Sequence, residues 1–195
     1  DVYKRQEYIS LAFRTAMEGK RGPVHLTIPH DLQEQTVDIE VFQRYEKSVI
    51  DDMNNWLTYP NLNQIEKSLD MLSNAKKPVI IAGLGAGATV SSKDLDIFLK
   101  NTKIPFFGVD SGRALVPDSH ECSLGIGYLP LNKSAQRVSE SDVVLLLGVK
   151  LDYQLGFGGS PPFNKDAKII CVDPDIEQLN SCLLYTSPSP RDTNE

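Results

Sequence analysis

No apolar run in these 195 residues approaches the roughly 18 consecutive residues that a membrane-spanning helix needs, so a membrane role is not expected. Positive charge is nowhere concentrated. The 20 Lys and Arg are scattered among 26 Asp and Glu, the formal net charge is -6, and no stretch offers the dense basic face that neutralises a phosphate backbone. Nucleic acid is therefore not an expected partner. Cys122, Cys171 and Cys182 have no short paired spacing, which argues against a disulfide framework and a zinc site and fits a reducing, cytoplasmic compartment. His25, His30 and His120 stand at unrelated spacings outside patterns such as H-E-x-x-H, and each reads as structural or solvent-facing. A G-x-S-x-G elbow and a paired Cys–His arrangement are also missing, so no residue is assigned catalytic proton transfer and no metal ligand is named.

The first residues lack an initiator Met and a basic-then-apolar signal segment. The expectation is a chain that starts inside a longer gene. Residues 1–6 and 183–195 resemble translated sequencing-adaptor read-through; for the second stretch a disordered Ser/Pro tail is the alternative. Neither enters the fold reasoning.

What is present is ordinary globular sequence, 41% hydrophobic and 24% charged, enough for one domain and part of another. From Glu7, residues Ile9, Ala12, Phe13, Ala16 and Met17 recur at helical spacing until Gly19 and Gly22-Pro23 stop the pattern. Val24–Ile28 reads as a strand closed by Pro29. One helix and one strand cannot bury a core alone, so residues 7–38 are expected to close an incomplete domain. Residues 39–60 are polar and aperiodic and read as a linker, and residues 61–180 as a second domain.

Within 61–180, Leu62, Ile65, Leu69 and Leu72 predict a helix, Pro78–Ala82 a buried strand, and Leu95, Phe98 and Leu99 a helix capped by Ser91 with Asp94 three residues on. Ile104–Val109 predicts a strand, Leu131, Ala135 and Val138 a helix, and Val143–Leu147 and Lys168–Val172 two further strands. Nearly continuous apolar strands alternating with helices predict a doubly wound α/β domain, Rossmann-like, with a parallel sheet covered on both faces.

The sharpest motif is Ala82-Gly83-Leu84-Gly85-Ala86-Gly87-Ala88, a glycine-rich turn directly after a strand. Glycines let the backbone approach a pyrophosphate, and the amides at the start of a following helix attract the anion. Against this, G-x-G-x-x-G is incomplete and the next helix is expected only near Ser91, so a ligand-free structural turn stays open. Asp110 lies 25 residues beyond Gly85, near the separation of about 20 at which an acid holds a ribose; it equally suits a turn. Asp173 and Asp175 follow the last strand and share the crevice edge, although Asp175 also suits a helix cap. Lys150, after Val143–Leu147, is a point-charge partner for phosphate or simply solvated. Gly156–Pro162 reads as a shaped loop.

Three stretches together resemble the thiamine-diphosphate-dependent enzymes of the acetolactate synthase type. Gly22-Pro23-Val24-His25-Leu26-Thr27-Ile28-Pro29-His30-Asp31 is similar to the end of their pyrimidine-binding domain. Lys77–Gly85 is similar to the opening of their central domain, and Leu155–Gly158 with Asp166–Asp173 to its close. The resemblance implies a lyase or transferase acting on carbon–carbon bonds of 2-oxo acids with thiamine diphosphate and Mg2+, in a homodimer or homotetramer. It implies that the cofactor-activating glutamate precedes residue 1 and the magnesium-binding Gly-Asp-Gly segment follows residue 180, leaving this stretch inactive by itself. It also implies FAD, ADP or CoA at the central domain. Leu151–Gly158 looks closer to the 2-hydroxyacyl-CoA/oxalyl-CoA and aldehyde lyase branch, and Lys150 stands where many relatives carry Arg. A non-catalytic nucleotide-binding module is the alternative from another class.

Overall fold

Branched and apolar runs with no polar alternation are stable only between two covering layers, and three such runs form the centre of the sheet in this protein. The structure, a computed structural model, describes residues 2–19, 21–34, 36, 60–175 and 177–179. It divides into two units, Asp1–Tyr59 and Pro60–Glu195.

In the first unit, helix α1 spans Val2–Met17. It begins before the apolar periodicity does, since Lys4, Arg5 and Gln6 are good helix formers that need no buried face. Gly19 ends it at φ +56, a backbone state suited to glycine. Residues 21–29 form no regular element, which corrects the expectation of a strand over Val24–Ile28. A strand exists only through a ladder partner, and among the described residues of this unit there is none. Pro29 instead leads into the four-residue helix α2, His30–Gln33, where Gln33 Nε2 donates to the Ile28 carbonyl at 3.0 Å. The expected linker falls outside the described residues except for Pro60.

The second unit is a five-stranded parallel sheet of order β3-β2-β1-β4-β5. Its strands are β1 (Pro78–Ala82), β2 (Phe106–Gly108), β3 (Ser123–Ile126), β4 (Val143–Leu147) and β5 (Lys168–Val172). Alternate residues feed two separate cores. Ile80, Ala82, Phe106, Val143, Leu145 and Ile170 pack on one face with Leu72, Leu95 and Leu99. Val79, Ile81, Phe107, Val144 and Leu146 pack on the other with Val138, Leu151, Leu155 and Phe163. Helix α3 (Leu62–Ser73) supplies Leu72; helix α5 (Ser92–Thr102) supplies Leu95 and Leu99, and Ser91 Oγ accepts the Asp94 N–H at 3.4 Å. The doubly wound α/β reading therefore holds.

The differences are local. Strand β2 is shorter than Ile104–Val109 because Pro105 has no N–H to donate and Asp110, at φ 50, turns the chain away. The helix expected over Leu131–Val138 is a 3-10 turn, Lys133–Ala135, followed by the single-turn helix α6, Gln136–Ser139. Strand β3 was not foreseen, because Ser-Leu-Gly-Ile carries little strand propensity. It forms because β2 pairs with it and Asn132 Nδ2 donates to the carbonyls of Leu124 (2.7 Å) and Ile126 (2.8 Å).

Candidate functional site

In a doubly wound sheet, ligands sit beyond the carboxyl ends of the strands where the chain order reverses. Here that point lies between β1 and β4, which pair over their full lengths from Pro78↔Val143 to Ala82↔Leu147. The residues singled out in the sequence are arrayed along this one edge: Gly83–Gly87 after β1, Asp110 after β2, Lys150 after β4, and Asp173 and Asp175 after β5.

The glycine-rich segment is not an open loop. Gly83 caps a short helix, α4 (Leu84–Thr89), so a helix starts directly at the turn rather than near Ser91. Small residues that the periodicity passed over make this helix because the neighbouring turns press against it. The Gly83 N–H donates to the Leu147 carbonyl at 2.9 Å and the Gly85 N–H to the Gly148 carbonyl at 3.0 Å. A Cβ on Gly83 would lie 2.7 Å from the Gly148 oxygen, and one on Gly85 would lie 3.0 Å from its Cα. A Cβ on Gly148, itself at φ +54, would overlap the Ala86 backbone nitrogen, and one on Gly112 would overlap the Ala82 carbonyl. The glycines thus lock three post-strand turns together, and the Gly83 and Gly85 amides are spent on protein carbonyls.

The acids are arranged differently. Asp110 is exposed and accepts from Gln154 Nε2 at 3.3 Å, joining the turn after β2 to the 3-10 segment Tyr153–Gly158 that follows β4. That segment is fixed by Asp152, whose Oδ1 accepts the Gln154 N–H at 2.9 Å, and it presents Tyr153 and Phe157 at 67% and 55% exposure. Lys150 is exposed and has no ion pair among the described residues. Asp173 Oδ1 accepts the Asp175 N–H at 2.8 Å, and Asp175 Oδ1 accepts the Glu177 N–H at 2.9 Å, an N-capping arrangement ahead of the helical residues 177–179. Sequence reasoning missed Gln154, Gly112 and Gly148. Gly148 carried a signal, since it follows β4 as Gly83 follows β1; Gln154 carried none, because its partner is 44 residues away.

Titration behaviour stands out at the opposite edge. The Asp142 carboxylate, just ahead of β4, accepts the backbone N–H of Lys76 (2.6 Å) and Lys77 (2.8 Å), and these bonds hold its carboxyl below the usual carboxylate range. Burial raises the Cys122 thiol, leaving it a small apolar core residue. Among the described residues no group of three or more His, Cys, Asp or Glu could hold a metal ion, and no helix is long and apolar enough to cross a membrane.

An all-parallel sheet, covered on both faces and with its turns gathered at a β1/β4 reversal, defines a doubly wound, Rossmann-like α/β domain. Residues 65–183 match the model of the thiamine pyrophosphate enzyme central domain, and the chain belongs to that family. It is 32% identical to 2-hydroxyacyl-CoA lyase 1 of Dictyostelium discoideum over 178 residues, covering 89% of this chain and 29% of the relative. It is 28% identical to 2-hydroxyacyl-CoA lyase of Arabidopsis thaliana over 180 residues (92% and 30%). It is 31% identical to the probable acetolactate synthase large subunit of Methanocaldococcus jannaschii over 183 residues (90% and 30%). The chain thus spans about three tenths of the length of the curated relatives it matches.

Proposed function

We propose that the parent protein is a thiamine-diphosphate- and Mg2+-dependent enzyme that makes or cleaves a carbon–carbon bond of a 2-oxo acid or 2-hydroxyacyl compound. Residues 61–180 are its central domain, preceded by the linker 39–60 and by the end of a pyrimidine-binding domain, 7–38. The observation that carries this reading is membership of the thiamine pyrophosphate enzyme family, with relatives named both as lyases and as synthases. When bound, thiamine diphosphate supplies the electron sink for such chemistry. The described residues do not gather a ligand set for its magnesium, so no catalytic step is assigned to them. Cytoplasmic residence and a homodimer or homotetramer belong to the same reading.

The role that this segment's own residues suit is holding an adenine nucleotide, in FAD, ADP or CoA, at the carboxyl edge. Lys150 offers a point charge to a phosphate, Asp110 with Gln154 offers acceptors and donors to a ribose or amide, and Tyr153 and Phe157 offer flat apolar surface. Calorimetric titration of FAD, ADP and CoA into the chain tests this. One of the three is expected to bind saturably, with affinity reduced about tenfold by Lys150→Ala or Asp110→Ala, the loss of one charge-assisted contact. No binding by any of them leaves the edge as scaffold. Gly85→Val is unsuitable as a probe, since its side chain would strike Gly148.

The complete enzyme, supplied with thiamine diphosphate and magnesium, is expected either to form acetolactate from pyruvate or to cleave a 2-hydroxyacyl-CoA. Inactivity in both assays would favour a non-catalytic nucleotide-binding module. The chain of 195 residues alone is expected to turn over neither substrate.

A further inference from the structure

A cleft of about 1070 Å³ in the second unit lies at the amino edge of the sheet, opposite the glycine turns. We propose that this cleft binds a small amphipathic anion, an apolar chain or ring carrying a phosphate, sulfonate or carboxylate head. The inference is independent of the nucleotide reading, which concerns the other edge.

The floor is apolar. Leu72, Val79 and Ile104 are buried there and Phe98 is half-buried beside them. The rim is basic: Lys76, Lys77, Lys103, Lys133 and Arg137 line the cleft against a single acid, Glu140, in a chain whose net charge is -6. Part of this excess has a local explanation. Helices α3 and α5 end at this edge, and cations beside helix C-termini offset the partial negative charge of the last carbonyls. Lys77 is also 4.0 Å from Glu140, and Lys103 is paired with Glu121.

That explanation does not reach the facing wall. Lys133 and Arg137 stand four residues apart on the 3-10 turn and α6, with Ser134 and Gln136 between them lining the same cleft. Both cations are exposed, and neither has an ion pair among the described residues. Like charges at this spacing repel, and a one-turn helix has little dipole to offset them. Two unpaired cations with polar neighbours above an apolar floor are complementary to a ligand with an anionic head and an apolar body. At about 1070 Å³ the cleft is slightly above the roughly 300–1,000 Å³ usual for small-molecule sites, room enough for such a ligand.

The test uses the whole chain, with decyl phosphate below its micellar concentration as probe, inorganic phosphate as the head alone, and calorimetry as readout. Decyl phosphate is expected to bind at one site, about tenfold or more tighter than phosphate. The double variant Lys133→Glu/Arg137→Glu, its folding verified by circular dichroism, is expected to weaken binding about tenfold or more, as loss of charge-assisted contacts implies. The double variant Lys93→Glu/Lys165→Glu, an equal charge change at two exposed positions that do not line the cleft, is expected to leave binding unchanged. The proposal is overturned by absence of saturable binding, by equal affinity for phosphate and decyl phosphate, or by equal weakening in the Lys93/Lys165 variant. It is also overturned if sedimentation shows self-association that the Lys133/Arg137 variant abolishes, since the cleft would then belong to a second copy.

Discussion

Asp142 shows how one carboxylate can tie two distant stretches of chain. It terminates the loop after α3 by accepting two backbone N–H groups and immediately precedes β4. Because its folded pKa lies below the unfolded value near 4, its contribution is fully present above that value and is lost as pH falls through the folded pKa. Asp142→Ala should therefore cost about 1–2 kcal/mol at neutral pH, two backbone donors being left without their acceptor. Urea unfolding from pH 6 down to pH 3 should show the gap between wild type and variant narrowing below about pH 4; a gap that stays constant or widens would refute the assignment. Gly148 makes the complementary point about space. Gly148→Ala adds a methyl at φ +54 directly against the Ala86 backbone nitrogen, where no side chain can yield. The expected cost is about 1–3 kcal/mol or more, read as a drop in the midpoint of thermal unfolding.

At the scale of elements, legibility followed the strength of the local signal. Helix α5 carries an apolar stripe and a cap, Ser91, so both its existence and its start were readable. Helix α4 is six residues of small side chains, and what makes it helical is the packing of the turns at Gly112 and Gly148 against it, which no local pattern reveals. Val24–Ile28 had the composition of a strand without a ladder to join. Strand β3 had a ladder without the composition, and Asn132 supplies what Ser123–Ile126 lacks by binding two of its carbonyls. Asn132→Ala is expected to destabilise the fold by about 1–3 kcal/mol, the penalty for half-buried acceptors left unmet. Hydrogen exchange should show its largest increase in protection loss at residues 123–126; a change spread evenly over all five strands would contradict this role.

For the whole molecule, the sheet stands between two cores, and β4 contributes to both. Leu146 is fully buried, so Leu146→Ala should cost about 2–5 kcal/mol and lower the denaturation midpoint. The sequence by itself determined the class of this protein, because nearly unbroken apolar strands separated by helices have few stable arrangements other than a parallel sheet covered on both sides. It also determined that Gly83, Asp110, Lys150 and Asp173 come to one edge, since each follows a strand and parallel strands end together. Only the tertiary structure decided that β1 lies between β2 and β4, and hence that Gly83 and Gly85 meet Gly148. It likewise decided that Gln154 reaches Asp110 and that Lys133 and Arg137 face the ends of α3 and α5 across a cleft. Periodicity records which face of an element is buried, whereas the identity of the neighbour is set by long-range packing that no residue encodes alone.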